Sequence, residues 1–336
     1  MKSQIFSIND IARELGVSAS TVSRALKDHP DISQGTKQIV KEFAQKVNYR
    51  PNFLALSLRN RRSNTLGLII PEIAHHFFSS VISGIEELAY GNSFRLIICQ
   101  SNEDQARETL NLQALVDHRV DGILVSVSKN TNTFDHFREV LERDIPIVFF
   151  DRISDELPTD RVITDDFEGA RALTRHLLER GRRRIMHLGA PRNMLLGKDR
   201  YRGYLQALAD FQVDPVQEHV LQCDTSDDVI RHREQILKVA PEIDAIFAVN
   251  DFTAIAAMQL LQKNGYAIPH DISVAGFGND PIAAIVNPSL TTVDQKGYQM
   301  GHESARLLIE RIENPESSFY PRTKVFESSL IVRNSS

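Results

Sequence analysis

Short, continuous apolar runs alternate with helix-length segments from about residue 63 to the end of this 336-residue chain. Such runs are typical of strands buried on both faces of a parallel sheet, and the segments between them are typical of crossover helices. The pattern therefore predicts an α/β domain. The clearest predicted strands are Leu66–Ile70, Arg95–Cys99, Gly122–Val127, Pro146–Phe150, Arg184–Leu188, Ala245–Val249 and Ile272–Gly276.

This α/β region is about 270 residues long, which exceeds the size of a typical single core. We therefore expect two doubly wound lobes, with the break between them near Asp165 to Gly169. In open parallel sheets, ligands bind in the crevice beyond the carboxyl ends of the strands. A ligand site between the two lobes is the natural expectation.

The first 47 residues show a different, purely helical pattern. Ser7 and Ser18 are each placed to cap a short helix, and Gly16 between them supplies the backbone freedom of a sharp turn. A third amphipathic helix is predicted from about Ser33 to Lys46, and three such helices can enclose a miniature core. The side chains predicted to face that core are Ile8, Ile11, Ala12, Leu15, Val22, Ala25, Leu26, Ile39, Val40, Phe43 and Val47.

Two short helices joined by a sharp turn form a helix-turn-helix, whose second helix reads bases with the residues near its N-terminus. Arg24 is the first candidate for a base contact because its guanidinium can bond guanine in two places, and a phosphate contact is the alternative. Taken alone, the pattern also fits a helical adaptor with a solvated basic face. The predicted DNA contacts of this unit are Ser7, Ser18, Ala19, Ser20, Thr21, Ser23, Arg24 and Lys27.

The charge of the chain is divided unevenly. Residues 1 to 62 contain eleven Lys and Arg against five Asp and Glu, which is a net charge of +6. The whole chain carries −5, so residues 63 to 336 carry −11. The basic end is therefore the one expected to meet a polyanion such as DNA.

The text from Asn48 to Arg59, Asn-Tyr-Arg-Pro-Asn-Phe-Leu-Ala-Leu-Ser-Leu-Arg, follows the helix-turn-helix directly. Together the two segments resemble the start of the LacI/GalR family of bacterial transcription regulators. In that family this piece is a hinge helix that folds in the minor groove as a dimer and wedges a leucine into the central base step. Leu58 matches that leucine, and the resemblance implies further DNA contacts at Asn52, Ala55 and Arg59.

The residues themselves agree with a hinge. Pro51 suits a helix start, and Ala55 and Leu58 share one helical face. A short helix without a core of its own should order only on a partner, and an apolar wedge beside Arg59 suits minor-groove insertion. We therefore expect a DNA-binding domain over 1–50, a hinge helix and linker over 51–63, and an effector-binding and dimerisation domain over 64–336.

The family's effector domain resembles a periplasmic sugar-binding protein, with two lobes, three crossovers and a pocket between the lobes. Matching text occurs at Val120–Ile123, Phe150–Arg152, Asn250–Asp251, Ile272–Phe277 and Pro288–Thr292. The fold class expected is thus an all-α helix-turn-helix head joined to an α/β domain of two doubly wound parallel-sheet lobes. The effector contacts that the resemblance implies are His75, His76, Phe78, Asp151, Arg200, Asn250, Asn279 and Gln295.

Three of these positions have a plainer alternative. Asp151 follows a predicted strand and could instead cap a helix or pair with Arg152. Arg200 could form a surface salt bridge in place of a ligand contact. Asn250 is assigned to the ligand because its amide both donates and accepts, while Asp251 is expected to cap the next helix.

The chain departs from the family text at two places. His75 and His76 stand where the family usually has Asn-Pro. Roles as a helix cap and as part of the pocket wall explain them. Because no acidic or cysteine residue lies at ligand spacing, the two histidines are weak evidence for a metal site. Gly278 stands where members often have a sugar-binding acid, so a common hexose is not the obvious effector. Asn279 or Asp280 is the candidate to replace that acid.

Other classes of protein find less support. The chain has no phosphate-binding loop, no zinc-protease or serine-hydrolase motif and no Cys-x-x-Cys, so we expect neither an enzyme nor a cofactor or metal. Cys99 and Cys223 are expected to be free thiols in a reducing cytoplasm. With no apolar signal segment and no run of membrane-spanning length, a periplasmic binding protein or a membrane protein is not expected.

The sequence therefore predicts a cytoplasmic, ligand-responsive transcription regulator, expected to be a repressor. Its partners are double-stranded operator DNA with a pseudo-palindromic sequence, a second copy of the chain in a homodimer or higher oligomer, and a small effector. A sugar or sugar derivative is the leading effector class, with a nucleobase or another metabolite as the alternative. Inducer and corepressor fit the sequence equally well.

Overall fold

A computed structural model describes residues 6–49, 62–192, 194–216, 219–315 and 320–336. The chain divides into two compact units, Met1–Ser63 and Asn64–Ser336. The helices of the first unit are α1 (Ile8–Glu14), α2 (Ala19–Leu26) and α3 (Gln34–Lys46).

Local signals shape the first unit as expected. Ser7 and Asp10 form a reciprocal capping box at the start of α1: the Asp10 N–H donates to the Ser7 hydroxyl at 3.3 Å, and the Ser7 N–H donates to the Asp10 carboxylate at 2.9 Å. Ser18 caps α2, and Gly16 takes a left-handed φ of +64° in the turn before it. The buried core of the unit consists of Ile11, Ala12, Val22, Ala25, Val40 and Ala44.

The predicted core stripe of α3 is wrong at Ile39, which is 57% exposed. Successive helical residues point about 100° apart, so Ile39 and Val40 cannot both face α1 and α2. Val40 and Ala44 take the buried side, together with Lys37, whose ammonium group donates to the Asp28 carbonyl at 3.1 Å. The amphipathic pattern had identified the helix but not its orientation.

The first lobe of the larger unit contains a six-stranded parallel sheet in the order β11 (Thr323–Phe326), β5 (Asp160–Thr164), β4 (Ile147–Phe150), β3 (Gly122–Val125), β1 (Thr65–Ile70) and β2 (Arg95–Gln100). Helices cover its two faces, and two apolar clusters pack between the helices and the sheet. Its elements up to β5 are β1 (Thr65–Ile70), α4 (His76–Gly91), β2 (Arg95–Gln100), α5 (Gln105–Asp117), β3 (Gly122–Val125), α6 (Asp135–Leu141), β4 (Ile147–Phe150) and β5 (Asp160–Thr164).

The second lobe contains a four-stranded parallel sheet in the order β7-β6-β8-β9, again between helices. A 3-10 turn, Ala240–Glu242, precedes β8. Its elements are α7 (Asp166–Glu179), β6 (Ile185–Gly189), α8 (Leu195–Asp210), β7 (Val220–Gln222), α9 (Ser226–Arg231), α10 (Arg233–Val239), β8 (Ala245–Ala248), α11 (Asp251–Lys263), β9 (Ser273–Ala275) and α12 (Ile282–Ile285).

The chain passes between the lobes three times. It leaves the first lobe after β5, returns between β10 (Thr292–Asp294) and α13 (Gly297–Glu313), and leaves again between β11 (Thr323–Phe326) and β12 (Ser329–Ile331). The first passage lies at the predicted break near Asp165. The two α/β lobes of the predicted fold class are therefore confirmed.

Close packing of α13 on α4 depends on two glycines. A Cβ on Gly84 would lie 2.1 Å from the Tyr298 carbonyl oxygen, and a Cβ on Gly301 would lie 2.0 Å from the Val81 carbonyl oxygen. Only glycine permits such a backbone approach. This contact attaches the returning helix α13 to the first lobe.

All seven predicted strands are present, with ends shifted by one or two residues. The expectation of burial on both faces is wrong for β2, an edge strand in which Ile98 is 40% exposed. The sequence-based prediction missed β5, β7, β10, β11 and β12. Three of these strands have only three residues, and β5 and β11 each begin with two polar residues, so none of the five shows a long apolar run.

Both cysteines are free thiols, with Cys99 half-buried and Cys223 buried. Within the described ranges, no helix is long and apolar enough to span a membrane.

Candidate functional site

A cleft of about 900 Å³, including its open mouth, lies between the two lobes of the larger unit. Residues that follow the carboxyl ends of several parallel strands line it: Lys129 after β3, Asp151 after β4, Asp224 after β7 and Asn250 after β8. This is where doubly wound sheets bind ligands. Its apolar wall is formed by Phe77, Phe78, Ala190, Met194, Leu196, Val249, Phe252 and Phe277.

Seven of the eight predicted effector contacts line this cleft. They are His75, His76, Phe78, Asp151, Arg200, Asn250 and Gln295. The eighth, Asn279, does not line it: its side-chain oxygen accepts a 2.8 Å hydrogen bond from Arg333. Gly278, at φ +130°, and Asn279, at φ +52°, form a tight turn that brings Asp280 to the cleft instead.

Asp151 is buried at the carboxyl end of β4, with a left-handed φ of +57°. Burial raises the pKa of its carboxyl group to about 6, against a partial opposing effect of Arg152. The nearest Arg152 nitrogen is 4.0 Å away, and that guanidinium makes its short ion pair, 2.6 Å, with Glu103. The predicted alternative of an Asp151–Arg152 ion pair is therefore present at 4.0 Å, but Glu103 is the closer partner of that guanidinium.

Arg200 is buried in α8 and is already held by protein groups. Its Nε and Nη2 atoms lie 2.8 and 2.7 Å from the Asp166 carboxylate, and its Nη1 donates to the Val249 carbonyl at 2.6 Å. The guanidinium also lies 3.8 Å above the Phe277 ring. The predicted alternative is right that Arg200 forms a salt bridge, but wrong that this pair lies at the surface.

Asn250, not Asp251, caps α11. The Asn250 side-chain oxygen accepts from the Thr253 N–H at 2.8 Å, and its amide nitrogen donates to the Asp224 carbonyl at 2.7 Å. The Asp251 carboxylate instead accepts from the Thr292 hydroxyl and the Asp280 N–H, and burial raises its pKa to about 6. The predicted cap was wrong by one residue because both side-chain types cap helices well.

His75 precedes α4 but makes no capping hydrogen bond through its side chain. Its Nε2 lies 3.1 Å from a Glu72 oxygen, and its ring packs edge-on against Phe252 of the second lobe at a centroid distance of 5.2 Å. His75 therefore forms part of the cleft wall, as predicted, but the prediction that its side chain caps α4 is wrong. Among the residues that the structure describes, no group of three or more His, Cys, Asp or Glu side chains could hold a metal ion.

Sequence reasoning missed Glu103, Lys129 and Asp224 as cleft residues. Lys129 and Asp224 come from different lobes, and their side chains approach to 3.4 Å. The strand-end rule that identified Asp151 applies equally to Lys129 and could have found it. Asp224 was not recognised because it follows β7, a strand of only three residues.

In the smaller unit, α2 presents an accessible face that runs from its first turn to its C-cap residue. Ser20, Arg24 and Lys27 are exposed, while Ala19 and Ser23 are half-buried. The Ser18 hydroxyl accepts from the Thr21 N–H at 3.1 Å, so it is engaged as the helix cap. The predicted hinge contacts lie outside the described residues; they are Asn52, Ala55, Leu58 and Arg59.

Comparison with known proteins places both units in one family. Residues 63–329 match the family of periplasmic binding proteins and the sugar binding domain of the LacI family, and residues 7–52 match the bacterial regulatory proteins of the lacI family. The chain belongs to the LacI family of bacterial regulatory proteins. It is a ligand-responsive, DNA-binding transcription regulator, as its helix-turn-helix and hinge text predicted.

Relatives of known role match nearly the whole chain. It is 33% identical over 315 residues to the ribose operon repressor of Halalkalibacterium halodurans, covering 93% of this chain and 92% of that protein. It is 32% identical over 315 residues to the transcriptional repressor PurR of Vibrio atlanticus, covering 92% of each. These LacI-family relatives are both named as repressors.

Solved structures show the same architecture. A complex of the transcriptional regulator CelR with cellobiose superposes with a TM-score of 0.74 at 28% identity, covering 98% of this chain and all of that one. A LacI-family regulator from Enterococcus faecium with bound ribose has a TM-score of 0.71 at 27% identity, covering 81% and 98%. The Lac repressor dimer bound to operator and the anti-inducer ONPF, at 22% identity, covers 99% of each chain and matches in fold with a TM-score of 0.86.

Proposed function

We propose that this LacI-family regulator is a cytoplasmic repressor that binds a pseudo-palindromic operator as a homodimer and has no enzymatic activity. A small polyhydroxylated metabolite, a sugar or sugar derivative, binds in the inter-lobe cleft and controls DNA binding. The observation that carries the effector assignment is the set of polar side chains that the two lobes bring together in this cleft.

The chemistry of the cleft suits hydroxyl groups. Asp151 and Asp280 supply acceptors, the amides of Asn250 and Gln295 are groups that both donate and accept, and Arg200 supplies donors. The aromatic walls offer apolar faces on which a sugar ring can pack. The relatives that bind ribose and cellobiose support this class of ligand.

A nucleobase is the second candidate. Phe77, Phe78, Phe252 and Phe277 supply flat apolar surface on several sides of the cleft, which suits a planar ring. Seven of the relatives compared with this chain are PurR repressors, at 28 to 32% identity. Both classes therefore belong in a ligand screen.

The effector proposal can be tested by thermal shift with a panel of pentoses, hexoses, disaccharides and nucleobases. Binding to the folded state raises the melting temperature, and at a fixed ligand concentration the rise grows with the logarithm of the affinity. A compound that stabilises the wild type should stabilise Asp151→Asn much less, because the amide cannot accept hydrogen bonds from two hydroxyls through both of its terminal atoms. Asp155→Asn, at an exposed carboxylate paired with Arg161, is the matched control. Equal stabilisation of Asp151→Asn and wild type would contradict a contact at Asp151.

The DNA-binding proposal places α2 in the major groove and the hinge, with Leu58, in the central minor groove. Arg24 reads a base, because it is an exposed arginine in the last turn of the unit's second helix. On an operator recovered by selection from random DNA, Arg24→Ala should cost about 1–3 kcal/mol of binding free energy and relax the preference at one base pair.

The control for Arg24 is Lys46→Ala, which removes an exposed charge from α3 of the same unit. A phosphate contact contributes equally on every sequence. Lys46→Ala should therefore reduce binding to operator and scrambled DNA by the same factor, if it reduces binding at all. If Arg24→Ala also lowers both affinities equally, Arg24 contacts phosphate and not a base.

A further inference from the structure

An ion pair joins the two lobes across the cleft. Lys129, in the loop after β3, belongs to the first lobe, and Asp224, after β7, belongs to the second. Their side chains are 23% and 15% exposed, and the Lys129 ammonium lies 3.4 Å from the nearer Asp224 oxygen. Both residues line the cleft, so the pair lies where a ligand would bind.

A buried carboxylate holds the loop that carries Lys129 in place through hydrogen bonds. Glu108, in α5, is fully buried and accepts hydrogen bonds from the Ser128 N–H at 2.8 Å, the Ser128 hydroxyl at 2.9 Å and the Thr131 hydroxyl at 2.8 Å. The His136 ring lies 3.0 Å from the same carboxylate. A buried carboxylate with this many partners holds the loop in one conformation.

A second carboxylate fixes the backbone of Lys129 itself. Glu103 accepts from the Lys129 N–H at 2.7 Å and from the Arg152 guanidinium at 2.6 Å, while its own carbonyl accepts from the Asn130 amide at 2.8 Å. The backbone of Lys129 therefore belongs to a rigid part of the first lobe. Its side chain, by contrast, extends beyond that lobe.

Asp224 is anchored to the second lobe through its backbone. Its carbonyl accepts from the Asn250 amide at 2.7 Å, which ties it to the start of α11. Burial raises the pKa of the Asp224 carboxyl, and Lys129 opposes that rise. In a partly buried pair of this kind, the cost of desolvating the two charges offsets much of their Coulomb attraction. A modest competing interaction can therefore break the pair.

We propose that Lys129 and Asp224 form an inter-lobe latch that favours the closed cleft in the absence of effector, with Glu108 as the positioning residue of the Lys129 loop. The latch makes closure an intrinsic equilibrium of the effector domain, which an effector then shifts by its differential affinity for the two states. The proposal rests on the proposed role of the cleft as the effector site, and it adds a regulatory contact to that site.

The test measures lobe separation in the full chain without any ligand. Donor and acceptor dyes are attached at Arg143→Cys in the first lobe and Lys263→Cys in the second, both exposed positions, after Cys99→Ser and Cys223→Ala. Labelled chains are mixed with excess unlabelled chains, so that energy transfer reports one copy. The ratio of open to closed molecules is read from the single-molecule transfer distribution.

Lys129→Met and Asp224→Asn should each raise the open-to-closed ratio by about fivefold, the lower end of typical coupling between sites. The double variant should raise it no further than either single variant, because the two residues act through one contact. Glu108→Gln should shift the ratio in the same direction and add nothing to Lys129→Met. The matched control is Arg171→Gln, which breaks an ion pair with Asp210 inside the second lobe and should leave the ratio unchanged.

Wild-type transfer distributions in both Lys129→Met and Asp224→Asn, in chains with wild-type circular dichroism, would overturn the latch. Additive shifts in the double variant would also overturn it, because they would mean that the two side chains act independently. A Glu108→Gln shift that adds to that of Lys129→Met would remove Glu108 from the positioning role. None of these results bears on the effector itself, whose binding is tested by the thermal-shift panel.

Discussion

Substitution of Arg200 by methionine is expected to destabilise the effector domain strongly, whether or not Arg200 contacts a ligand. Methionine keeps much of the length of the side chain but has no charge and no donors. The change removes two contacts to the Asp166 carboxylate and one to the Val249 carbonyl. It leaves Asp166, which is only 7% exposed, without its counter-ion.

Removing one partner of a buried ion pair typically costs about 3–5 kcal/mol, because the remaining charge stays buried. The double variant Arg200→Met with Asp166→Asn removes that charge as well. It should recover a large part of the lost free energy of unfolding. A ligand-binding defect measured on Arg200→Ala alone would therefore be confounded by unfolding.

The loss should depend on pH in a definite direction. Burial already raises the pKa of Asp166, and Arg200 is the main group that opposes the rise. Without Arg200 the folded-state pKa rises further above the unfolded value. The folded variant then binds a proton that the unfolded chain releases, so its stability increases as pH falls and is lost as pH rises through the folded pKa. The deficit against wild type should be smaller at pH 5 than at pH 8.

Urea unfolding followed by circular dichroism measures these differences, since the chain has no tryptophan. Arg171→Met, at the half-exposed pair with Asp210, is the control and should change stability little. A loss below about 1 kcal/mol in Arg200→Met would refute the reasoning, since the cost of a stranded buried charge is larger. A double variant as unstable as the single one would refute it equally.

Two further predictions concern stability. Burial raises the pKa of Asp151 and that of Asp251 to about 6, above the ordinary 3.8, so folding favours the protonated form of each carboxyl group. The free energy of unfolding should therefore fall as pH rises from 4 to 7, by up to about 3 kcal/mol per group. Asp151→Asn should therefore stabilise the ligand-free domain at pH 7 and remove about half of this dependence in urea titrations, and an unchanged pH profile would contradict the cause given. Ser18→Ala should lower the stability of the helix-turn-helix unit by about 1 kcal/mol in thermal melts, whereas Ser18→Asn keeps a capping oxygen and should cost little; equal losses would exclude a capping role.

Much of the fold was readable because its signals are local. The caps at Ser7 and Ser18 and the left-handed Gly16 each depend on a few neighbouring residues, and the structure has them as predicted. The long apolar strands were found for the same reason, because continuous apolar runs need no knowledge of their partners. The uneven charge and the family text identified a DNA-binding regulator before any contact was known.

The site was only partly readable. Strand ends pointed to Asp151, and family text pointed to Arg200 and Gln295, all of which the fold brings to one cleft. The family resemblance could not show that a tight turn directs the Asn279 side chain to Arg333, so that the neighbouring Asp280 lines the cleft instead. A choice between adjacent polar residues depends on backbone dihedral angles that are fixed by packing, not by residue type.

The sequence by itself therefore determined the class of each unit, the helix-turn-helix, the two-lobed α/β architecture and the family. Only the tertiary structure decided which charges meet. Arg200 and Asp166 are 34 residues apart in the chain, and Lys129 and Asp224 are 95 apart. Lys129 meets Asp224 because the chain passes between the lobes and brings distant strand ends to one cleft, whereas Arg200 meets Asp166 because α7 and α8 pack against each other in the second lobe. No local pattern in the sequence encodes either meeting.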